Sequence, residues 1–499
     1  MRKLILAAGF AAVASFGFAE DAYIESTGTQ AILTDVLING KSRVEFDFQA
    51  CDGTIHGHRL FGQDAAPYSS FLVLSGKFAF VGGDAWTRTD STVVTNKARH
   101  VAIADYNNRH LAIQTGGVTE WETDITYAMG TGTASIGLCI CGVSQKHDFT
   151  WDGIYHPGTA DHPHVRVYSC KVYESGALKH YFKPWKSGRH TGLKDLCTGK
   201  IYVNGATADP FLCGGDISDD PQWDLPETQP TVVPPVIPQT GDYVIDTPRY
   251  GSFFHPKFET AARVVKTGNG KLTLDDGNVF GGDFIVSNGC VEADYAASGL
   301  RGTHLQLSGA ENFKPGIISP LGPSFTPTVA ESGPGTVAFR GYCGIRPANT
   351  DLTVDFGAEV VKGSPAFNPS EFDLGMSSYQ TLTFASDLAV NANSITVKNP
   401  GSGSRLPAYV TGYWYNKAGL NSGTSAPINY WDGTIVFVGN PQREWDLYAF
   451  RGWNHNCGTQ IYSNCNLRVT KDWKVGNNST VNTPAIERAR EFPAQKLVA

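Results

Sequence analysis

Arg43-Val44-Glu45-Phe46-Asp47-Phe48-Gln49 decides the fold of the N-terminal half. Val44, Phe46 and Phe48 alternate with Glu45, Asp47 and Gln49, and a period of two marks a strand with one face buried. Short runs of the same character lie outward from it, at 70–74, 77–81, 100–104, 134–140, 164–173 and 200–203. Asp52-Gly53, Gly82-Gly83 and Asn107-Asn108 punctuate them as turns. Many short strands without a convincing helix predict an antiparallel β-sandwich.

The whole chain agrees with that reading. Its 499 residues include 55 Gly and 27 Pro, only 17% are charged, and Met occurs three times. In such a chain the Glu, Lys and Arg that favour long helices are scarce. With 27 Phe, 20 Tyr and 10 Trp it also carries too many aromatic groups for a disordered polymer. A net charge of -7 leaves no basic face, so nucleic-acid binding has no electrostatic footprint.

The first residues predict export. Arg2 and Lys3 precede an apolar run from Leu4 to Phe18, with small Gly17 and Ala19 before acidic Glu20 and Asp21. This is the pattern of a signal peptide over 1–19, and no later stretch approaches membrane-spanning length. Export makes disulfides chemically accessible to the ten cysteines. Cys457 and Cys465 are the expected local pair, because Gly458 and Asn464 suggest a turn between them.

Six prolines between 216 and 242 read as an extended linker, dividing a domain at 20–215 from one at 243–499. The second domain has another rhythm. Thr267-Gly268-Asn269-Gly270-Lys271-Leu272-Thr273-Leu274 is followed by Gly281-Gly282-Asp283-Phe284-Ile285-Val286, a Gly-rich turn feeding one strand and then another. Further strand pairs at 335–339 with 352–354 and 433–437 with 467–469 suit the coils of a parallel β-helix, with 381–384 and 394–397 between them. A second antiparallel sandwich stays open for this half. Residues 483–492 read as a short closing helix.

Two resemblances follow. Tyr23-Ile24-Glu25-Ser26-Thr27-Gly28-Thr29-Gln30 with Arg43–Phe48, and Arg166-Val167-Tyr168-Ser169-Cys170-Lys171-Val172-Tyr173 with the stretch 192–204, resemble bacterial laminin-G-like, concanavalin A-like modules. The segment from Thr267 to Gly289 resembles the autotransporter-associated β-strand repeat. Together they imply an all-β protein of passenger type, in which a jelly-roll sandwich is carried on a β-helix-like region. They also imply a surface or secreted location and a glycan or protein ligand.

Side-chain chemistry gives fewer leads. Glu45 and Asp47 share a strand face, a spacing some glycosidases use, but a solvated strand edge accounts for them. His56-x-His58 and the cluster of His156, His162 and His164 could offer imidazoles to a metal, yet prolines place them in loops. No catalytic residue, metal ligand or cofactor is expected. Calcium, held by loop Asp and backbone oxygens, is the cation left open for this fold type. Trp86, Trp121 and Trp151 beside turn residues are the ligand-binding candidates, since an indole face can stack on a sugar ring. The expected function is therefore non-catalytic binding or adhesion. An extracellular glycoside hydrolase or polysaccharide lyase is the first alternative, and a structural surface protein the second.

Overall fold

The computed structural model describes residues 21–471 except 52–58, 65, 86, 128, 133–136, 143, 146–162, 207–208, 219–231, 234, 249–250, 311–313, 376–379, 391–394, 399–405, 417–427, 432–433, 444–446, 452–453, 456–458 and 466. The expected signal peptide, the closing helix, Trp86, Trp151 and Cys457 therefore lie outside the described residues. Regular structure among the described residues is β throughout, apart from one turn of 3-10 helix at Leu300–Gly302.

Two sheets face each other in the N-terminal half. One places Val118–Asp124, His110–Thr115, Arg99–Asp105, Ser42–Ala50 and His164–Glu174 side by side, all antiparallel. Beyond His164–Glu174 this sheet divides. The first part of that strand pairs with Tyr23–Thr27, and the second with Ala177–Ser187, which leads to His190–Asp195 and Ile201–Val203. The facing sheet runs through Ile32–Leu33, Cys139–Ile140, Arg59–Asp64, Tyr68–Leu74, Lys77–Gly83 and Thr87–Val94.

The alternation at 43–49 explains the core between them. Val44, Phe46 and Phe48 are all 0% exposed, while Glu45, Asp47 and Gln49 are half-buried on the other face. Phe46 meets Phe61 edge-on at 5.5 Å, and Phe48 meets Phe71 and Phe78 at 5.6 and 5.5 Å. These rings come from opposite sheets, so the aromatic cluster is what glues the sandwich.

From Asp242 the chain winds into a stacked series of parallel strands forming three rows. The first row begins Asp242–Asp246, Arg263–Thr267, Phe284–Val286 and His304–Gly309. The second begins Ser252–His255, Lys271–Leu274, Gly289–Ala293 and Gly316–Pro320. The third holds Glu259–Thr260 with Val279–Phe280 and resumes from Ser324–Phe325 through Leu352–Val354 and Leu382–Phe384 to Thr459–Ser463. The long strand Thr336–Ile345 serves the first two rows at once. This is a parallel β-helix, which answers the alternative of a second sandwich.

One coil corner shows why glycine recurs. Gly268 turns with φ 72, and a Cβ there would stand 2.1 Å from the Thr247 carbonyl oxygen of the preceding coil. Lys266 fills the space beneath. Its side chain is 0% exposed, and Nζ donates to the carbonyls of Thr267, Gly268 and Asn288 at 2.9, 2.6 and 2.7 Å. Burial pulls this amine down to about 7, whereas its three acceptors match the three N–H bonds of the charged form. The acceptor count favours the ammonium.

The two halves are hydrogen-bonded to each other. Ile201 and Tyr202 pair antiparallel with Phe254 and Phe253, so a strand of the sandwich covers the open edge of the second row's first strand. Trp185 and Phe254 pack at 4.7 Å, and Ser252 Oγ donates to the carbonyls of Val203 at 2.7 Å and Leu33 at 3.2 Å. The linker is tied down at both ends. Lys186 donates its N–H to Ser218 O at 3.4 Å, and Gln239 Nε2 donates to Glu259 O at 3.1 Å. Backbone pairing thus carries one sheet across the boundary between the two halves.

Candidate functional site at the junction

A small cleft of about 110 Å³ opens where the sandwich meets the coils. The two-residue turn Gly188-Arg189 closes a hairpin in which Ser187 faces His190, and it delivers Arg189, His190 and Thr191 to one wall. The opposite wall is the second row of coils, where Thr273 stands beside Glu292 in register.

Each wall is braced. Thr191 Oγ1 donates to Phe211 O at 2.7 Å. Asn204 Oδ1 accepts the N–H groups of Ala31 and Ala206 at 3.0 and 2.9 Å, and its Nδ2 donates to Asp209 O at 2.8 Å. These bonds hold the loop that carries Asp209 and Pro210 over the cleft. Across it, Lys271 Nζ donates to Asn204 O at 2.6 Å and pairs with Glu292 Oε2 at 3.0 Å, while Thr273 Oγ1 donates to Glu292 Oε1 at 3.2 Å. Lys271 is thus a bolt between the sandwich and the first coils.

His190 lies mostly beneath the first wall. It is 9% exposed, it packs on Phe254 at 4.9 Å, and its Nε2 is buried with no hydrogen-bond partner. Burial, and then the Arg189 charge, hold its imidazole below the usual 6.5. A buried polar atom without a partner carries a cost that a bound donor or acceptor removes. Arg189 itself bridges to Asp276 at 2.9 Å and Asp294 at 3.5 Å on successive coils. Hydroxyls, amides, a guanidinium and an imidazole around a partly apolar floor suit a small polar ligand rich in hydroxyl groups.

The residues singled out from sequence are dispersed. Trp121 is half-buried, with its ring stacked on Phe80 at 5.9 Å, so one indole face is committed to the sandwich. Glu45 and Asp47 are engaged by arginines: Arg43 pairs with Glu45, and Arg99 grips both oxygens of Asp47 at 2.7 and 2.6 Å. Cys465 Sγ contacts Phe437 O at 3.1 Å, with its expected partner Cys457 outside the described residues. Of the described members of the histidine cluster, His164 lies against Glu25 at 3.0 Å. Arg189, His190 and Glu292 went unnoticed in the sequence, where nothing links residues so far apart along the chain.

No family model matches the chain, and no curated protein matches it. Among solved structures it is similar to the mouse laminin alpha1 chain, domains LG4-5, at 12% identity and a TM-score of 0.23. That similarity covers 32% of this chain, which spans 44% of the laminin chain. A likeness this faint carries no argument, and the sandwich and β-helix stand on strand pairing alone. No helix among the described residues is long and apolar enough to cross a membrane.

Proposed function

We propose that the chain is an exported surface or secreted protein that binds an extracellular glycan, or a protein displaying one, without turning it over. The observation that carries this reading is the cleft between the two halves, lined by Arg189, His190, Thr191, Asn204 and Thr273. Hydroxyl groups of a saccharide both donate and accept, which is what such a lining requires. In this reading the sandwich supplies one wall, and the coils supply the other wall together with reach from the surface.

A second reading has its own support. Asp209 and Glu292 both line the cleft, and two carboxylates in one groove are the equipment of a glycoside hydrolase. Glu292 is engaged by Lys271 and Thr273, which favours holding over proton transfer. The test is a glycan array probed with chain 20–499, run beside a reducing-sugar release assay on the captured glycans. Because the cleft takes residues from both halves, segment 20–215 alone is the wrong probe. Binding lost in His190→Ala with no sugar released supports the binder. Release that disappears in Asp209→Asn or Glu292→Gln establishes the hydrolase instead.

A further inference from the structure

One cluster of metal-ligating side chains lies away from the junction, on two neighbouring strands of the sandwich and just past the end of a third. Strand register assembles it. Thr27 faces His164 and Glu25 faces Arg166, so Glu25 and His164 are diagonal neighbours on one side of the sheet. On the other flank Ala50 faces Val165, and Cys51, next along, donates its backbone N–H to His164 O at 3.1 Å. His164 therefore sits in the middle, with a carboxylate on one side and a thiol on the other. Its Nε2 donates to Glu25 Oε1 at 3.0 Å, and one ligand atom from each of the three residues lies within 4.8 Å of the others. All three are half-buried, open enough for an ion to enter.

We propose that Glu25, Cys51 and His164 form a zinc(II) site with three protein ligands and a fourth position for water. One sulfur, one nitrogen and one oxygen are the donors a borderline-soft ion takes, whereas calcium takes oxygen alone. Bonds of about 2.0–2.3 Å around a tetrahedral ion leave its ligand atoms roughly 3.3–3.8 Å apart. Small side-chain rotations reach that spacing from the present one. On binding, His164 moves its proton to Nδ1, freeing the Nε2 lone pair, and Cys51 releases its thiol proton to solvent. Thiolate and carboxylate then balance the two positive charges. Arg166 Nε donates to Glu25 Oε2 at 2.8 Å, which fixes the carboxylate with Oε1 toward the ion. The ion would join the first strand, the strand after 42 and the central strand of the sheet, stitching together positions 139 residues apart.

Cobalt(II) substitution tests this, using reduced chain 20–499. One equivalent of cobalt should produce a thiolate-to-metal charge-transfer band that zinc abolishes. Cys51→Ser should remove the band, and His164→Ala and Glu25→Gln should each weaken binding tenfold or more. Zinc should raise the unfolding temperature of the parent chain and leave that of Cys51→Ser unchanged, provided circular dichroism shows both folded. A band that survives Cys51→Ser, zinc stabilisation of that variant, or Cys51 found in a disulfide in the exported protein would overturn the proposal.

Discussion

The sandwich and the β-helix bury similar residues by opposite means. In the sandwich, Phe46 and Phe48 reach across to Phe61, Phe71 and Phe78, partners brought in from distant strands. In the coils each residue meets its counterpart one turn on, as Arg263 meets Asp242, 21 residues away, and Phe367 meets Phe339 at 5.4 Å. The sandwich core is therefore all-or-none, while the coil core is a sum of neighbouring layers. Damage should spread through the first and stay local in the second.

The sharpest break of that contrast is Phe48→Ala. Losing a 0% exposed ring from the centre of the aromatic cluster should cost about 3–5 kcal/mol, with protection from hydrogen exchange falling across the whole sandwich. Lys266→Met leaves three buried carbonyls without their donor and should cost about 3 kcal/mol, but exchange should rise only in the coils around 247–290. If amides throughout the helix open together, the layered description fails.

Gly268→Ala should cost about 2 kcal/mol, since φ 72 is strained for alanine and its Cβ would strike the Thr247 carbonyl. The smallest effect is on acid sensitivity. Burial lowers His100 in the sandwich, His190 at the junction, and His255 and His304 in the coils. Below the usual 6.5 the unfolded chain takes up protons that the folded chain refuses until lower pH. Stability should therefore be flat above that value and decline as pH falls through it. Denaturant titrations of His190→Asn should show a shallower decline than the parent chain.

How much of this was legible in the sequence follows the same divide. The alternation from Val44 to Phe48 announced its strand and its buried face, and Leu352–Val354 was found at its full length, because both patterns are local. The coils were legible from Gly268 and its neighbours for a similar reason: the turn conformation demands that residue. The junction was hidden. Ile201–Val203 and Ser252–His255 pair across a proline-rich stretch that reads as a separator, and only three-dimensional proximity reveals their shared sheet. The cleft was hidden too, as Arg189, Asn204, Glu292 and Asn349 come from four separate stretches of chain. Trp121 could be noticed from its neighbours, but its stacking on Phe80 follows from the packing of one sheet on the other, which composition does not encode.

The hydrogen bonds from Ile201 and Tyr202 to the first coil have a consequence for assembly. A bare terminal coil is an adhesive template, and copies of it can add end to end into fibres. With the sandwich seated there, growth along the second row is blocked, and the nascent chain, made N-terminus first, meets a strand on which to lay its opening turn. The domain that emerges earliest is thus both plug and starting block for everything wound after it.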